Sequence, residues 1–323
     1  MQLLSARMRS WRPTPGTLRR SFLGALVMNT VIVVTGGAVR LTASGLGCPT
    51  VPKCTETSMV VTREMGVHGA IEFGNRLLTF VLAAAVVAAL VTAWRARRRD
   101  LVGFAGLLLA GIAGQALLGA VTVLTGLNPV TVMAHFLVSM ALIAVAVLAY
   151  ARAGDGAAPA PVGVRRDVRA GAWLLTAAVA ATLVVGTVVT GTGPHSGDKQ
   201  AADRLPFDLE TVSQLHADLV FLVVGLSVGM LVAVRAADAP APLPRRMLTL
   251  LAVVVGQGLV GYVQYVTDLP VALVGVHVLG ACLVWIATLR VLLAALPALS
   301  AGPAATGASA AGSHPEPAWA ASR

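Results

Sequence analysis

Eight runs of mainly apolar residues, each close to the length that crosses a bilayer, set the first limit on how this chain folds. They cover 21–41, 68–94, 101–124, 130–151, 171–191, 212–234, 247–266 and 271–296. A hydrocarbon core about 30 Å thick takes about 20 residues of helix, so in 323 residues these runs leave only loops, one linker and the tails. Charged residues make up 12% of the chain, about half the usual share of a soluble domain at roughly 25%. That excludes a soluble globular enzyme. The fold class is an all-α polytopic membrane protein, and any chemistry must come from helix residues and short loops.

The net charge of +10 would suggest nucleic acid in a soluble protein. Here the basic residues cluster between apolar runs. Eighteen of the 24 Lys and Arg, among them Arg19, Arg20, Arg95 to Arg99, Arg152, Arg165 and Arg245, fall on one side, and six, including Arg40, Lys53, Arg76 and Arg204, on the other. The excess of positive charge marks the cytoplasmic side, which predicts cytoplasmic termini, a lipid bilayer as the surroundings and no nucleic-acid partner. The first run lacks a small-residue cleavage pattern and is expected to stay in the mature protein. The organisation expected is a cytoplasmic segment 1–20, a four-helix bundle 21–151, an Ala, Gly, Pro and Arg linker 152–170, a second bundle 171–296 and a disordered cytoplasmic tail 297–323 containing His314 and Trp319.

An internal repeat joins the halves. At a constant offset of 142 residues, Gly114, Gln115, Gly119, Thr125, Leu127 and His135 recur as Gly256, Gln257, Gly261, Thr267, Leu269 and His277. The Gln and His matches carry the signal, since Gly and Leu coincide often among membrane helices. Four helices per half is an even number, so the two bundles are expected to be related by a pseudo-two-fold axis along the membrane normal. The four glycines read as points of close helix approach.

Ionisable groups at membrane depth are costly and mark function. His68, His135, His216 and His277 fall on the alternate runs 2, 4, 6 and 8. Paired imidazoles inside a four-helix bundle suit axial ligation of haem iron, whereas zinc needs a local cluster of ligands. His216 lies 19 residues from Arg235 and His277 lies 13 from Arg290, a depth difference of roughly 9 Å. His135 lies 17 from Arg152 but His68 lies 27 from Arg95, a difference of roughly 15 Å. The second half thus fits a bis-His haem, and Asn75, 20 from Arg95, rather than His68, matches His135 in depth. Glu72 and Arg76 stand beside Asn75, either as a self-neutralising pair or as the lining of a polar reaction pocket.

Cys48 and Cys54 lie in a loop assigned to the outer side, where disulfides persist. A disulfide is expected there, against free thiols or a redox pair, and Cys282 reads as core packing. The corresponding loop of the second half has no Cys but carries His195, Asp198, Asp203, Asp208 and Glu210, read as a solvated acidic loop.

The run Val39-Arg40-Leu41-Thr42-Ala43-Ser44-Gly45-Leu46-Gly47-Cys48-Pro49 with Pro52 and Cys54, then Glu72-Phe73-Gly74-Asn75-Arg76, and the repeated Gly-Gln with a downstream His, resemble the haem A synthase family over roughly residues 20 to 295. The resemblance implies a bacterial plasma-membrane oxidoreductase that converts haem O to haem A by oxidising a ring methyl to a formyl group, for assembly of cytochrome oxidase. It implies a haem b cofactor ligated by His216 and His277, and a haem O substrate against His135 in the first half. Glu72 matches the family's acidic residue and becomes the candidate catalytic group, handling protons or stabilising positive charge. Arg40 and Arg76 are candidate propionate partners. A haem O synthase, an electron acceptor and a second copy of the chain are the further partners considered.

The chain departs from the family pattern at Asn75, where a His is usual. Either His68 ligates the substrate iron from two turns away, or His135 holds it alone, which is favoured because haem O must enter and haem A must leave. The alternatives are a diheme electron-transfer cytochrome, which needs a bis-His site in each half, and a transporter, which would show matching broken helices.

Overall fold

The computed structural model describes residues 12–154, 163–198, 203–240 and 242–296. The proposed tail, with His314 and Trp319, and much of the N-terminal segment and linker lie outside these residues. Eight long helices follow one another: α1 Pro15–Leu41, α2 Gly66–Arg95, α3 Arg99–Leu124, α4 Pro129–Gly154, α5 Arg166–Thr192, α6 Leu209–Ala236, α7 Pro242–Val266 and α8 Val271–Ala295. A short 3-10 turn, Arg63–Met65, leads into α2. All eight are long and apolar enough to cross a membrane, and no strand occurs among the described residues.

The helices overrun the apolar runs mainly where arginines flank them: α1 begins at Pro15 rather than 21 and α5 at Arg166 rather than 171. The apolar run marks the hydrocarbon core, but the helix continues through the headgroup zone, where Arg favours helix and its stem covers apolar surface. Local signals fix the starts. Thr14 Oγ1 accepts from the Thr17 N–H with Pro15 at the first helical position, and Asp208 accepts from the Thr211 N–H at the start of α6.

Helices α1 to α4 close a ring, α1 packing on α2 and α4 and α3 on both α2 and α4; α5 to α8 do the same. The halves meet through α1 on α8, α4 on α5, and α4 on α8. Each half has its own apolar core, around Phe22, Leu108 and Ile143 in the first and Leu175, Met247 and Leu250 in the second. Trp285 packs against both cores, and its indole N–H donates to the Met140 carbonyl at 2.9 Å. Outward-facing Phe80, Leu117, Phe221 and Leu259 are exposed, as suits side chains in contact with lipid.

The repeat extends to the backbone of the turns. Gly126 and Leu127 adopt φ of 61° and 62°, and 142 residues on Asp268 and Leu269 adopt 60° and 57°. Leu127 N–H donates to the Thr122 carbonyl and Leu269 N–H to that of Gln264, both at 2.8 Å. The left-handed turn is retained although glycine is replaced by aspartate, a residue that tolerates this region better than most.

The repeated glycines correct one expectation. Gly114 and Gly256 are exposed, with no atom near the place of a Cβ, so they mediate no helix approach. Gly119 and Gly261 face histidine rings instead of a neighbouring backbone. Small residues pack helices in membranes, but here they also make room for larger side chains.

Candidate functional site

Two polar constellations lie within the helices, one per half. In the second half, His216 on α6 and His277 on α8 face each other with ring centroids 6.4 Å apart and planes at 61°. Each ring rests on a glycine: a Cβ at Gly186 of α5 would lie 3.0 Å from the His216 ring, and one at Gly261 of α7 would lie 3.1 Å from that of His277. Gln257 Nε2 donates to the His277 backbone carbonyl at 2.9 Å, fixing the helix turn that carries the ring.

The first half repeats the plan on α3 and α4. Gly119 lies against the His135 ring, with the place of a Cβ 3.3 Å away, and Gln115 Nε2 donates to the His135 carbonyl at 2.9 Å. The same amide reaches Ser139 Oγ at 2.5 Å. On α1 and α2, Gly36 lies beside Asn75, the place of its Cβ 3.9 Å from the Asn75 amide nitrogen. Four glycines therefore each face one polar residue: His135, His216, His277 and Asn75. Gly36 and Gly186 escape the sequence repeat because Gly36 and Gly186 are 150 residues apart while Asn75 and His216 are 141 apart. Loops of unequal length defeat a comparison without gaps.

Nδ1 of His135, His216 and His277 is buried and makes no hydrogen bond within the protein, so each imidazole is left without a protein partner at that atom. Metal–imidazole bonds of about 2.0 Å place the centroids of two rings on opposite sides of one ion roughly 6 Å apart. The observed 6.4 Å fits that requirement. The His216–His277 pair thus has the donor chemistry and spacing to hold a haem iron, and the first half offers one such imidazole. No cluster of three or more His, Cys, Asp or Glu suited to a metal ion occurs among the described residues.

The loop between α1 and α2 is pinned over the start of α2. Cys48 and Cys54 are buried and joined by a disulfide. Glu72, 5% exposed, accepts from the Cys48 N–H through Oε2 and from Arg76 Nη2 through Oε1, each at 2.5 Å. Arg76 also donates to the Cys48 carbonyl at 2.8 Å and the Thr50 carbonyl at 3.0 Å. Glu72 and Arg76 thus form an ion pair that also clamps the disulfide ring. Gly47 has no alternative, since a Cβ there would come within 2.8 Å of the Gly69 backbone nitrogen. Gly45 N–H bonds to the Gly197 carbonyl at 2.8 Å, tying this loop to the corresponding loop of the second half.

His68 sits two turns outward of Asn75, exposed, with Nδ1 3.0 Å from the hydroxyl of buried Ser44. Arg40 reaches across the halves and donates from Nη2 to the Thr190 carbonyl at 2.6 Å, while its Nε is buried without a partner. In the second-half loop, His195 Nε2 lies 3.0 Å from the Leu269 carbonyl. Asp208 is held below the usual carboxylate range by the Thr211 backbone N–H and hydroxyl. Cys282 is fully buried, as expected of core packing.

The family model for the cytochrome oxidase assembly protein family COX15-CtaA matches residues 19–195, more than half of the chain. The chain belongs to that family. Its relatives include the Heme A synthase of Geobacillus kaustophilus (strain HTA426), 32% identical over 122 residues, 37% of this chain and 38% of that protein. The Heme A synthase of Geobacillus thermodenitrificans is 29% identical over 122 residues, 37% of this chain and 38% of its own. That of Lysinibacillus sphaericus (strain C3-41) is 32% identical over 125 residues, 37% of this chain and 39% of its own. The aligned segments thus span about two fifths of these relatives. Family membership and the eight spans make this a multi-pass membrane protein. The matched segment takes in Arg40, the disulfide loop, Glu72, Asn75 and His135 but ends before His216 and His277, whose assignment rests on geometry.

Proposed function

We propose that this chain oxidises a ring methyl of haem O to a formyl group, giving haem A, with a b-type haem as cofactor. The observation that carries the reading is the His216–His277 pair at 6.4 Å, echoed in the first half by a single histidine on the same glycine-backed plan. The names of the relatives agree with it. The first bundle is the substrate half and the second the cofactor half, with both termini cytoplasmic in a bacterial plasma membrane.

When bound between His216 and His277, haem b supplies one-electron transfer. The chain's own residues do the rest. His135 holds the substrate iron, and Gln115 steadies the turn of α4 that carries it. Arg40, with its unpartnered buried Nε, is the best placed propionate donor; Arg76 is largely committed to Glu72 and the loop carbonyls. The clamped disulfide loop is held at the start of α2 and tied to the corresponding loop of the second half.

Converting a methyl to a formyl group adds one oxygen atom and removes electrons and protons, so an electron acceptor is a required partner and a proton carrier is needed near the substrate. Glu72 is the acid available for that task. Its bond to the Cys48 N–H of the loop, and its ion pair with Arg76, support a positioning role as well. Haem O synthase is the natural supplier, and a homo-oligomer is compatible with the exposed apolar helix faces.

The test is occupancy. Protein purified from a host that makes haem O should carry haem B and haem O together. His135→Ala should remove haem O selectively, and His216→Ala or His277→Ala should remove haem B. Loss of the same haem from both kinds of variant would contradict the division between halves.

A further inference from the structure

Four glycine-backed positions recur, and three hold imidazoles. The fourth holds Asn75, whose surroundings show how it is kept in place. Thr35 Oγ1 on α1 donates to Asn75 Oδ1 at 2.7 Å, shorter than its contacts with the Val31 and Ile32 carbonyls at 3.1 and 3.2 Å. An amide bonds a hydroxyl through either of its heteroatoms, so the side chain stays tied to α1 whichever faces Thr35. Gly36, next to Thr35, lies nearest the amide, the place of its Cβ 3.9 Å away, where Gly186 lies nearest the His216 ring at a tighter 3.0 Å. Asn75 and His216 therefore occupy corresponding places on α2 and α6, the second helix of each half.

The two side chains differ chemically. Protein ligands to haem iron are imidazole, thiolate, thioether or phenolate, and a neutral carboxamide has no such donor. It is also shorter than an imidazole and is already bonded to Thr35. His68 is no substitute, because seven residues of α2 place it roughly 10 Å further out, where it bonds Ser44 and is exposed. Glu72 and Arg76, also on α2, are taken up by the disulfide loop, Glu72 through the Cys48 N–H and Arg76 through the Cys48 and Thr50 carbonyls.

We propose that Asn75 stands where His216 stands in the second half but supplies no ligand, so that the first-half haem is bound through His135 alone and keeps one open axial face on the α2 side. This rests on the proposed function and deepens it, since it defines how the substrate half differs from the cofactor half. A half that binds haem through two imidazoles retains it; a half with one protein ligand lets it exchange. The open face also admits small exogenous ligands, which the His216–His277 pair excludes.

The experiment uses full-length protein purified in detergent with both haems bound, its spin states recorded by electron paramagnetic resonance and carbon monoxide titrated into the reduced form. The wild type is expected to show one low-spin and one high-spin haem and to bind one carbon monoxide per chain. Asn75→His is expected to convert the second signal to low spin and abolish carbon monoxide binding, with the His216–His277 signal unchanged as evidence of folding. His216→Asn, the mirror variant, is expected to open a face in the second half.

Two low-spin haems in the wild type, or no carbon monoxide binding, would overturn the proposal without any variant. So would Asn75→His that still binds carbon monoxide as the wild type does. Failure of the functional reading looks different: an open, carbon monoxide-binding first-half haem with no conversion of haem O would leave this inference standing. A first half that holds no haem, its content unchanged in His135→Ala, would overturn both.

Discussion

His216 and His277 face each other with ring centroids 6.4 Å apart, brought together from the second and fourth helices of the second half. Replacing either by Ala removes one of the two proposed ligands and leaves the other imidazole buried alone. Each variant is expected to lose the low-spin haem signal and one haem per chain in a pyridine haemochrome assay, with helix content by circular dichroism unchanged.

The glycines divide into two classes that a substitution series separates. A leucine at Gly261 would occupy the space beside His277, and one at Gly119 the space beside His135. Gly261→Leu is expected to displace haem b, and Gly119→Leu haem O, with at least a tenfold loss of conversion. Gly114→Leu and Gly256→Leu point into open space and are expected to leave haem content within experimental error, since leucine also favours helix over glycine.

Glu72 and Arg76 hold the disulfide ring from one turn of α2. Arg76→Ala frees the Cys48 and Thr50 carbonyls as well as Glu72, so it should lower thermal stability by about 1–3 kcal/mol and leave the loop cleavable by protease. Cys48→Ser is expected to resemble it in protease sensitivity and to reduce activity. Glu72→Gln keeps an acceptor for the Cys48 N–H. If Glu72 handles protons, conversion falls at least tenfold while the loop stays resistant; full conversion in Glu72→Gln would dismiss that role and leave positioning.

The cap of α6 gives a pH signature. Hydrogen bonds from Thr211 hold the Asp208 carboxyl below its ordinary value, so its stabilisation is present above the unfolded value and disappears as pH falls through the lowered folded one. Asp208→Ala is expected to melt at a lower temperature than the wild type near neutral pH, and the difference should close at acid pH. A difference that grows on acidification would contradict the cap.

The spans were legible in the sequence because a bilayer imposes one requirement, an apolar run of sufficient length, that needs no knowledge of partners. The repeat around Gln115, His135, Gln257 and His277 was legible because the segment from Gln115 through the turn to His135 has no insertion relative to its counterpart, down to the left-handed pair at 126–127 and 268–269. The correspondence of Asn75 with His216 was hidden by unequal loops. What Gly119 and Gly261 do could not be read from spacing, since glycine permits a close backbone and a large neighbouring ring equally. The clamp formed by Glu72 and Arg76 was half legible: spacing offered the ion pair as one of two readings, and only the folded loop brings the Cys48 amide to it.

The central claim is conversion, and the most direct measurement is the mass of the haem extracted from membranes expressing this chain together with a haem O synthase, in a host that makes no haem A. The account predicts haem A, or hydroxylated haem O on the way to it, and its absence in His135→Ala. Unchanged haem O alongside folded protein that retains haem B would contradict the account and favour an electron-transfer cytochrome.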